Sequence, residues 1–166
     1  KHDQNLSEDP NAVKVQVVAH QFWWEFNYPE LGIYSSQDLV LPVGKDISFE
    51  LTSADVVHSF WIPALGGKKD TNPGLTSYMH LTPLEVGVYK GKCAELCGAS
   101  HALMDFTVIV VPQEEFDAWV EDMREPPPAV AAEDLQQGAA IFEANCLYCH
   151  AIQPDVRSAV APHLNG

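Results

Sequence analysis

The densest chemistry in the 166-residue sequence lies in Cys93-Ala94-Glu95-Leu96-Cys97-Gly98-Ala99-Ser100-His101-Ala102-Leu103-Met104, which packs two thiols, an imidazole and a thioether into one short stretch. Cys97, His101 and Met104, if joined by an upstream histidine, His58, on a strand able to lie alongside, make the ligand set of a blue-copper site: one thiolate, two imidazoles and a weak thioether. Cys93 is the extra element. A thiolate sulfur can bridge two metal ions, so two thiolates four residues apart in one loop can hold two coppers close together, each with one terminal histidine. Such a pair shares one unpaired electron through its sulfurs, spreads the change in charge and lowers the reorganisation that electron transfer demands. The same residues admit other chemistry. Cys93 and Cys97 can close a disulfide, or join His58 and His101 in a tetrahedral zinc site that braces the fold. Met104 alone fits core filling, and His58 alone fits a hydrogen-bonded structural histidine.

A second motif, Cys146-Leu147-Tyr148-Cys149-His150, has the spacing for covalent attachment of haem c, both thiols adding to the vinyl groups and His150 becoming the proximal iron ligand. Gly138 and Phe142 before it, and Ala161-Pro162-His163-Leu164 after it, resemble the start of a class I cytochrome c. No Met follows the motif to serve as distal ligand, so the expectation for 133–166 is a cytochrome c domain cut short.

These groups need a scaffold. Val13, Val15 and Val17 alternate with Lys14 and Gln16, and Ile47, Phe49 and Leu51 with Ser48 and Glu50, the period of two of half-buried strands. Residues 39–43, 58–62, 75–81, 86–91 and 106–111 read the same way, with turns at Pro42-Val43-Gly44 and Asn72-Pro73-Gly74. The expected fold is all-β, a sandwich or barrel. After Pro112, Phe116, Trp119, Val120 and Met123 fall at helical spacing behind acidic Glu114 and Glu115, which predicts one closing amphipathic helix. The prolines of Glu125-Pro126-Pro127-Pro128 then exclude a helix and favour an extended spacer. The domains expected are 1–124, a Pro-rich linker over 125–132, and the truncated tail over 133–166, opened by a short helix through Leu135, Ala139 and Phe142.

With 46% hydrophobic residues the chain can bury one good core and a small appendage. Its formal net charge of -14 argues against a phosphate-binding surface, so no nucleic-acid partner is expected. No apolar run approaches the roughly 20 residues needed to span a bilayer. The first residue is Lys1, without initiator Met or signal-peptide pattern, and the expectation is that the natural protein is longer.

The stretch from Val13 to Met123 resembles the copper-A domain of cytochrome c oxidase subunit II. The resemblance rests on Ala19-His20-Gln21 with the aromatic run Phe22-Trp23-Trp24, on His58-Ser59-Phe60-Trp61-Ile62-Pro63, and on the 93–104 loop. It implies a cupredoxin-like Greek-key β-barrel holding a dinuclear copper centre. Cys93 and Cys97 would bridge, His58 and His101 would be terminal ligands, and Met104 and the Glu95 carbonyl weak ligands to one copper each. The Glu95 side chain would reach a magnesium ion at the interface with the large catalytic subunit. Phe22-Trp23-Trp24 matches the patch that accepts electrons from cytochrome c. Its first position is usually Trp but here is Phe22, which leaves Trp23 as a second candidate; Trp24 reads as core. Leu75 stands where an Arg commonly follows Pro-Gly.

By resemblance, this chain is the electron-transfer domain of a terminal haem-copper oxidase. Cytochrome c, or the fused haem c domain, would donate to the copper pair, which passes electrons to haem in the catalytic subunit for reduction of oxygen to water. The complex is an oxidoreductase; the domain alone carries electrons. The implied location is the periplasmic, outer face of the membrane, anchored by transmembrane helices that are missing from this sequence. The rival readings are the copper domain of a nitrous oxide reductase, a zinc-braced structural module and a thiol oxidoreductase.

Overall fold

Alternating burial along the strands builds the scaffold: in Ile47–Ser53 every second side chain is buried, so one face of the strand is core and the other half-exposed. The computed structural model describes residues 9–125, 132–151 and 161–162. The chain divides into two units, Lys1–Arg124 and Glu125–Gly166. The first carries β1 (Val13–His20), β2 (Trp23–Tyr28), β3 (Ile33–Ser36), β4 (Asp38–Pro42), β5 (Ile47–Ser53), β6 (His58–Ile62), β7 (Gly66–Thr71), β8 (Ser77–Leu81), β9 (Gly87–Cys93), β10 (Asp105–Val111) and α1 (Gln113–Arg124). They form two five-stranded sheets, ordered β3-β2-β1-β5-β8 and β4-β10-β9-β6-β7. Both sheets are mixed, since β1 pairs with β5 and β10 with β4 in parallel while the other pairs are antiparallel. This is the expected cupredoxin-like all-β architecture.

Between the sheets lies an aromatic core. Phe106 stacks on Phe60 with centroids 5.1 Å apart and meets Trp24 at 5.2 Å and Phe26 at 5.6 Å. Gly91, opposite Phe106 in the β9–β10 register, makes room for this ring: a Cβ there would lie 2.1 Å from it. Helix α1 buries Phe116 and Val120 beside β3 and β4, and Trp119 meets Tyr28 edge-on at 5.4 Å. The Arg124 guanidinium donates to the Leu31 carbonyl and pins the helix end.

Strands β2, β3 and β7 are additions to what alternation shows. Strand β2 is buried on nearly both faces, so it has no polar beat; its one carboxylate, Glu25, accepts from His20 at 3.0 Å and Asn27 at 2.8 Å. Strand β7, Gly66-Gly67-Lys68-Lys69-Asp70-Thr71, has no apolar alternation and exists as the edge partner of β6.

In the second unit α2 spans Ala132–Asn145, longer than the short helix expected, with Leu135 and Ile141 exposed. The linker residues 126–131, and His163 and Leu164 of the tail, lie outside the described residues. Among the described residues no helix is long and apolar enough to cross a membrane.

Candidate metal centre

His58 opens β6, Cys93 ends β9 and Met104 immediately precedes β10, so neighbouring strands of one sheet deliver three of the predicted ligands to one end of the sandwich. The register that pairs Phe60 with Cys93 brings the β6 start beside the β9 end, and Ala94 N–H donates to the Ser59 carbonyl to close the join. Cys93 N–H donates to the Met104 carbonyl, which staples the two ends of the intervening loop. Within that loop His101 starts a single 3₁₀ turn, His101–Leu103.

The donor atoms fall into two sets. Cys93 Sγ lies 3.9 Å from His58 Nδ1 and 3.2 Å from the Glu95 carbonyl oxygen. Cys97 Sγ lies 3.6 Å from His101 Nδ1 and 3.7 Å from Met104 Sδ. The sulfurs are 3.8 Å apart and form no disulfide. His58 and the Glu95 carbonyl thus lie beside Cys93, and His101 and Met104 beside Cys97, while the His101 ring also hydrogen-bonds Cys93 across the pair. His58, Cys93 and Cys97 form a group with all donor atoms within 4.8 Å of one another, and His101 stands outside it. A single tetrahedral zinc would need all four donors about 3.3–3.8 Å apart, from Zn–N and Zn–S bonds of about 2.0–2.3 Å. Buried soft donors split into two pairs across two adjacent sulfurs suit two soft ions better.

Burial alone would raise the Cys93 thiol, but hydrogen bonds with His58 and with the Ser59 and Glu95 backbone outweigh it and bring the thiol down to about 6. Burial and the adjacent Cys93 sulfur push the Cys97 thiol up to about 12. Two adjacent sulfurs thus resist ionising together, and binding metal through both must release a proton from the pair.

One residue that positions this site was not legible as a ligand. Asp55 Oδ1 accepts from His58 Nε2 at 2.7 Å, leaving Nδ1 to face Cys93, the familiar carboxylate–histidine support of a metal ligand. Burial opposes ionisation of Asp55, yet hydrogen bonds from His58 and from the N–H groups of Val56 and Gln21 hold its carboxyl below the usual range. A carboxylate three residues before the histidine was the available signal.

The aromatic run divides by strand alternation. Trp24 is fully buried, meets the His58 ring at 6.2 Å and points its Nε1–H at the Met104 carbonyl, 3.4 Å away. Trp23 takes the opposite face and stacks on His20 at 4.0 Å. Half-buried Phe22 lies against the ligand loop, since a Cβ on Gly98 (φ +138°) would come within 2.9 Å of its ring. Glu95 is exposed and joins no further group of three candidate ligands among the described residues. Leu75 is also exposed.

In the second unit, Cys146 and Cys149 are half-buried at the end of α2. His150 Nδ1–H donates to the Pro162 carbonyl at 2.7 Å, which makes Nε2 the unprotonated nitrogen of the neutral ring.

The sandwich and its sulfur-rich end define a cupredoxin-like domain with a soft-metal site. Residues 33–111 match the family described as cytochrome C oxidase subunit II, periplasmic domain. Cytochrome c oxidase subunit 2 of Alkalihalophilus pseudofirmus is 52% identical over 147 residues, covering 86% of this chain and 42% of that protein. The subunit of the same name from Bacillus sp. strain PS3 is 48% identical, covering 94% of this chain and 47% of the relative. The periplasmic domain of subunit II of cytochrome oxidase from Bradyrhizobium japonicum superposes with a TM-score of 0.66 at 32% identity, over 69% of this chain and 96% of that one. The chain belongs to the cytochrome c oxidase subunit II family, and it spans less than half the length of these two full-length relatives.

Proposed function

We propose that this domain accepts and passes on single electrons through a dinuclear copper centre held by Cys93, Cys97, His58, His101, Met104 and the Glu95 carbonyl. The observation that carries the reading is the division of donors into two sets across sulfurs 3.8 Å apart. A copper pair held by Cys93 and Cys97 would supply a one-electron couple whose change in charge is shared with both thiolates. The protein fixes the donors in advance: Asp55 holds the His58 ring, the fully buried Met104 holds its thioether in the core, and Trp24 braces both from within.

In the whole protein, electrons arrive from cytochrome c or from a fused haem c domain, and leave for haem in the large catalytic subunit, where oxygen is reduced to water. The domain works on the periplasmic side, anchored by transmembrane helices that precede it, and is one part of an oxidoreductase complex. Phe22 is the better candidate for electron acceptance, because its ring abuts Gly98, next to Cys97, while Trp23 faces away. Cys146, Cys149 and His150 fit haem c, the Pro162 carbonyl fixing the imidazole with Nε2 free for iron. The exposed Glu95 carboxylate is free to meet magnesium at the subunit interface.

The test is electron paramagnetic resonance of the oxidised, copper-loaded chain with metals counted. Two coppers sharing one electron over equivalent nuclei, seen as a multi-line hyperfine pattern, is the expected result. A four-line signal from one copper, or one bound zinc and no copper affinity, would overturn it.

A further inference from the structure

Gln21 sits at the tip of the β1–β2 hairpin, and its two halves reach the two halves of the metal site. Its backbone N–H donates to Asp55 Oδ2 at 2.6 Å, on the carboxylate whose other oxygen holds His58. Its side-chain Nε2–H donates to the Cys97 carbonyl, also at 2.6 Å. Cys97 lies in the irregular run between Ala94 and His101, outside any strand, so the amide ties it down from beyond its own loop. The same contact fits tightly: a Cβ on Gly98 would lie 3.0 Å from Gln21 Nε2 and 2.9 Å from the Phe22 ring.

We propose that Gln21 is a positioning residue of the metal centre. It fixes Cys97, which belongs to the His101–Met104 set, against the Asp55–His58 support that belongs to the Cys93 set. The two donor sets are thereby held in one relative geometry, and Phe22, the next residue, moves as one body with the ligands. This inference rests on the copper reading above. An equal share of one electron between two metals requires the two sets to stay closely matched in energy, and a shift of Cys97 alone would upset that match.

The test compares the parent chain with Gln21→Met, which keeps the length and removes the donor, and Gln21→Glu, which sets a carboxylate against the Cys97 carbonyl. The backbone bond to Asp55 survives in both. Copper release to a chelator should accelerate about tenfold in Gln21→Met and more in Gln21→Glu, at the scale typical of ligand-support mutations. The hyperfine pattern should move from equal towards unequal sharing. Release rates and hyperfine splittings identical to the parent, even with a lowered melting temperature of the metal-free chain, would mean that Gln21 only braces the hairpin and would overturn the proposal. A check without substitution follows the side-chain amide protons of Gln21 in the metal-free parent, which should exchange with solvent more slowly than those of exposed Gln136; equal rates would also overturn it. If the parent itself never shows the shared two-copper signal, the copper reading falls first and this inference falls with it.

Discussion

Replacing Gly91 with Ala tests the packing that holds the ligand-bearing strands together. The new Cβ would meet three atoms of the Phe106 ring at 2.1, 2.1 and 2.5 Å, whereas carbon atoms rest about 3.5–4.0 Å apart. The ring would have to retreat by about 1.5 Å, and it has nowhere to go: it is 3% exposed and hemmed in by Trp24, Phe26 and Phe60 at centroid distances of 5.1 to 5.6 Å. Overpacking of a filled core costs about 1–3 kcal/mol, and the closeness of these contacts points to the upper end. Urea unfolding of the metal-free chain, followed by tryptophan fluorescence, should show a midpoint lowered by about 1 M for an m-value of about 2 kcal/mol/M. Phe106→Leu, which empties the space the methyl invades, should rescue part of the loss. The double variant should be more stable than the sum of the single effects predicts by at least about 1 kcal/mol, as expected for residues in contact. Additive effects, or a Gly91→Ala midpoint equal to that of the parent, would refute the placement of the Phe106 ring over Gly91.

Asp55→Ala removes the acceptor that orients His58, and copper should escape to a chelator about 10–100-fold faster while the fold persists by circular dichroism. In the metal-free chain at pH 7, Cys93 should be alkylated faster than Cys97, since its hydrogen bonds favour the thiolate while burial and the neighbouring sulfur oppose ionisation of Cys97, and the two are similarly buried; peptide mapping by mass spectrometry reads the ratio, and copper should protect both. The Asp70 carboxyl is held below its usual range, chiefly by the Ser59 hydroxyl and then by Lys68. Its contribution is present above the unfolded value of about 3.9 and is lost as pH falls through the lower folded value, so Asp70→Asn should be less stable than the parent at pH 7 by under about 1 kcal/mol, the gap closing in strong acid.

The candidate donors were legible because their chemistry is local: Cys93, Cys97, His101 and Met104 share one loop, and only His58 had to be brought from elsewhere. The helix α1 was legible for a similar reason, its apolar residues recurring at helical spacing after Pro112. Strand β7 was not, because Lys68, Lys69 and Asp70 owe their extended form to pairing with β6, a tertiary cause with no trace in their own pattern. Gln21 was opaque in the same way, and Asp55 offered only its place three residues before His58, since an amide and a carboxylate gain meaning when the hairpin tip and the β5–β6 turn are folded against the loop. Register links these two levels. His58 faces the core because Phe60 pairs with Cys93 and His58 with Thr71; a slip of one residue would turn its imidazole away from the sulfurs and put Ser59 in its place. The packing of Phe60 between Phe49 and Phe106, at 5.3 and 5.1 Å, opposes that slip, because the slip would carry a buried aromatic ring out of the core. A residue with no metal chemistry of its own thus decides whether the ligand set forms.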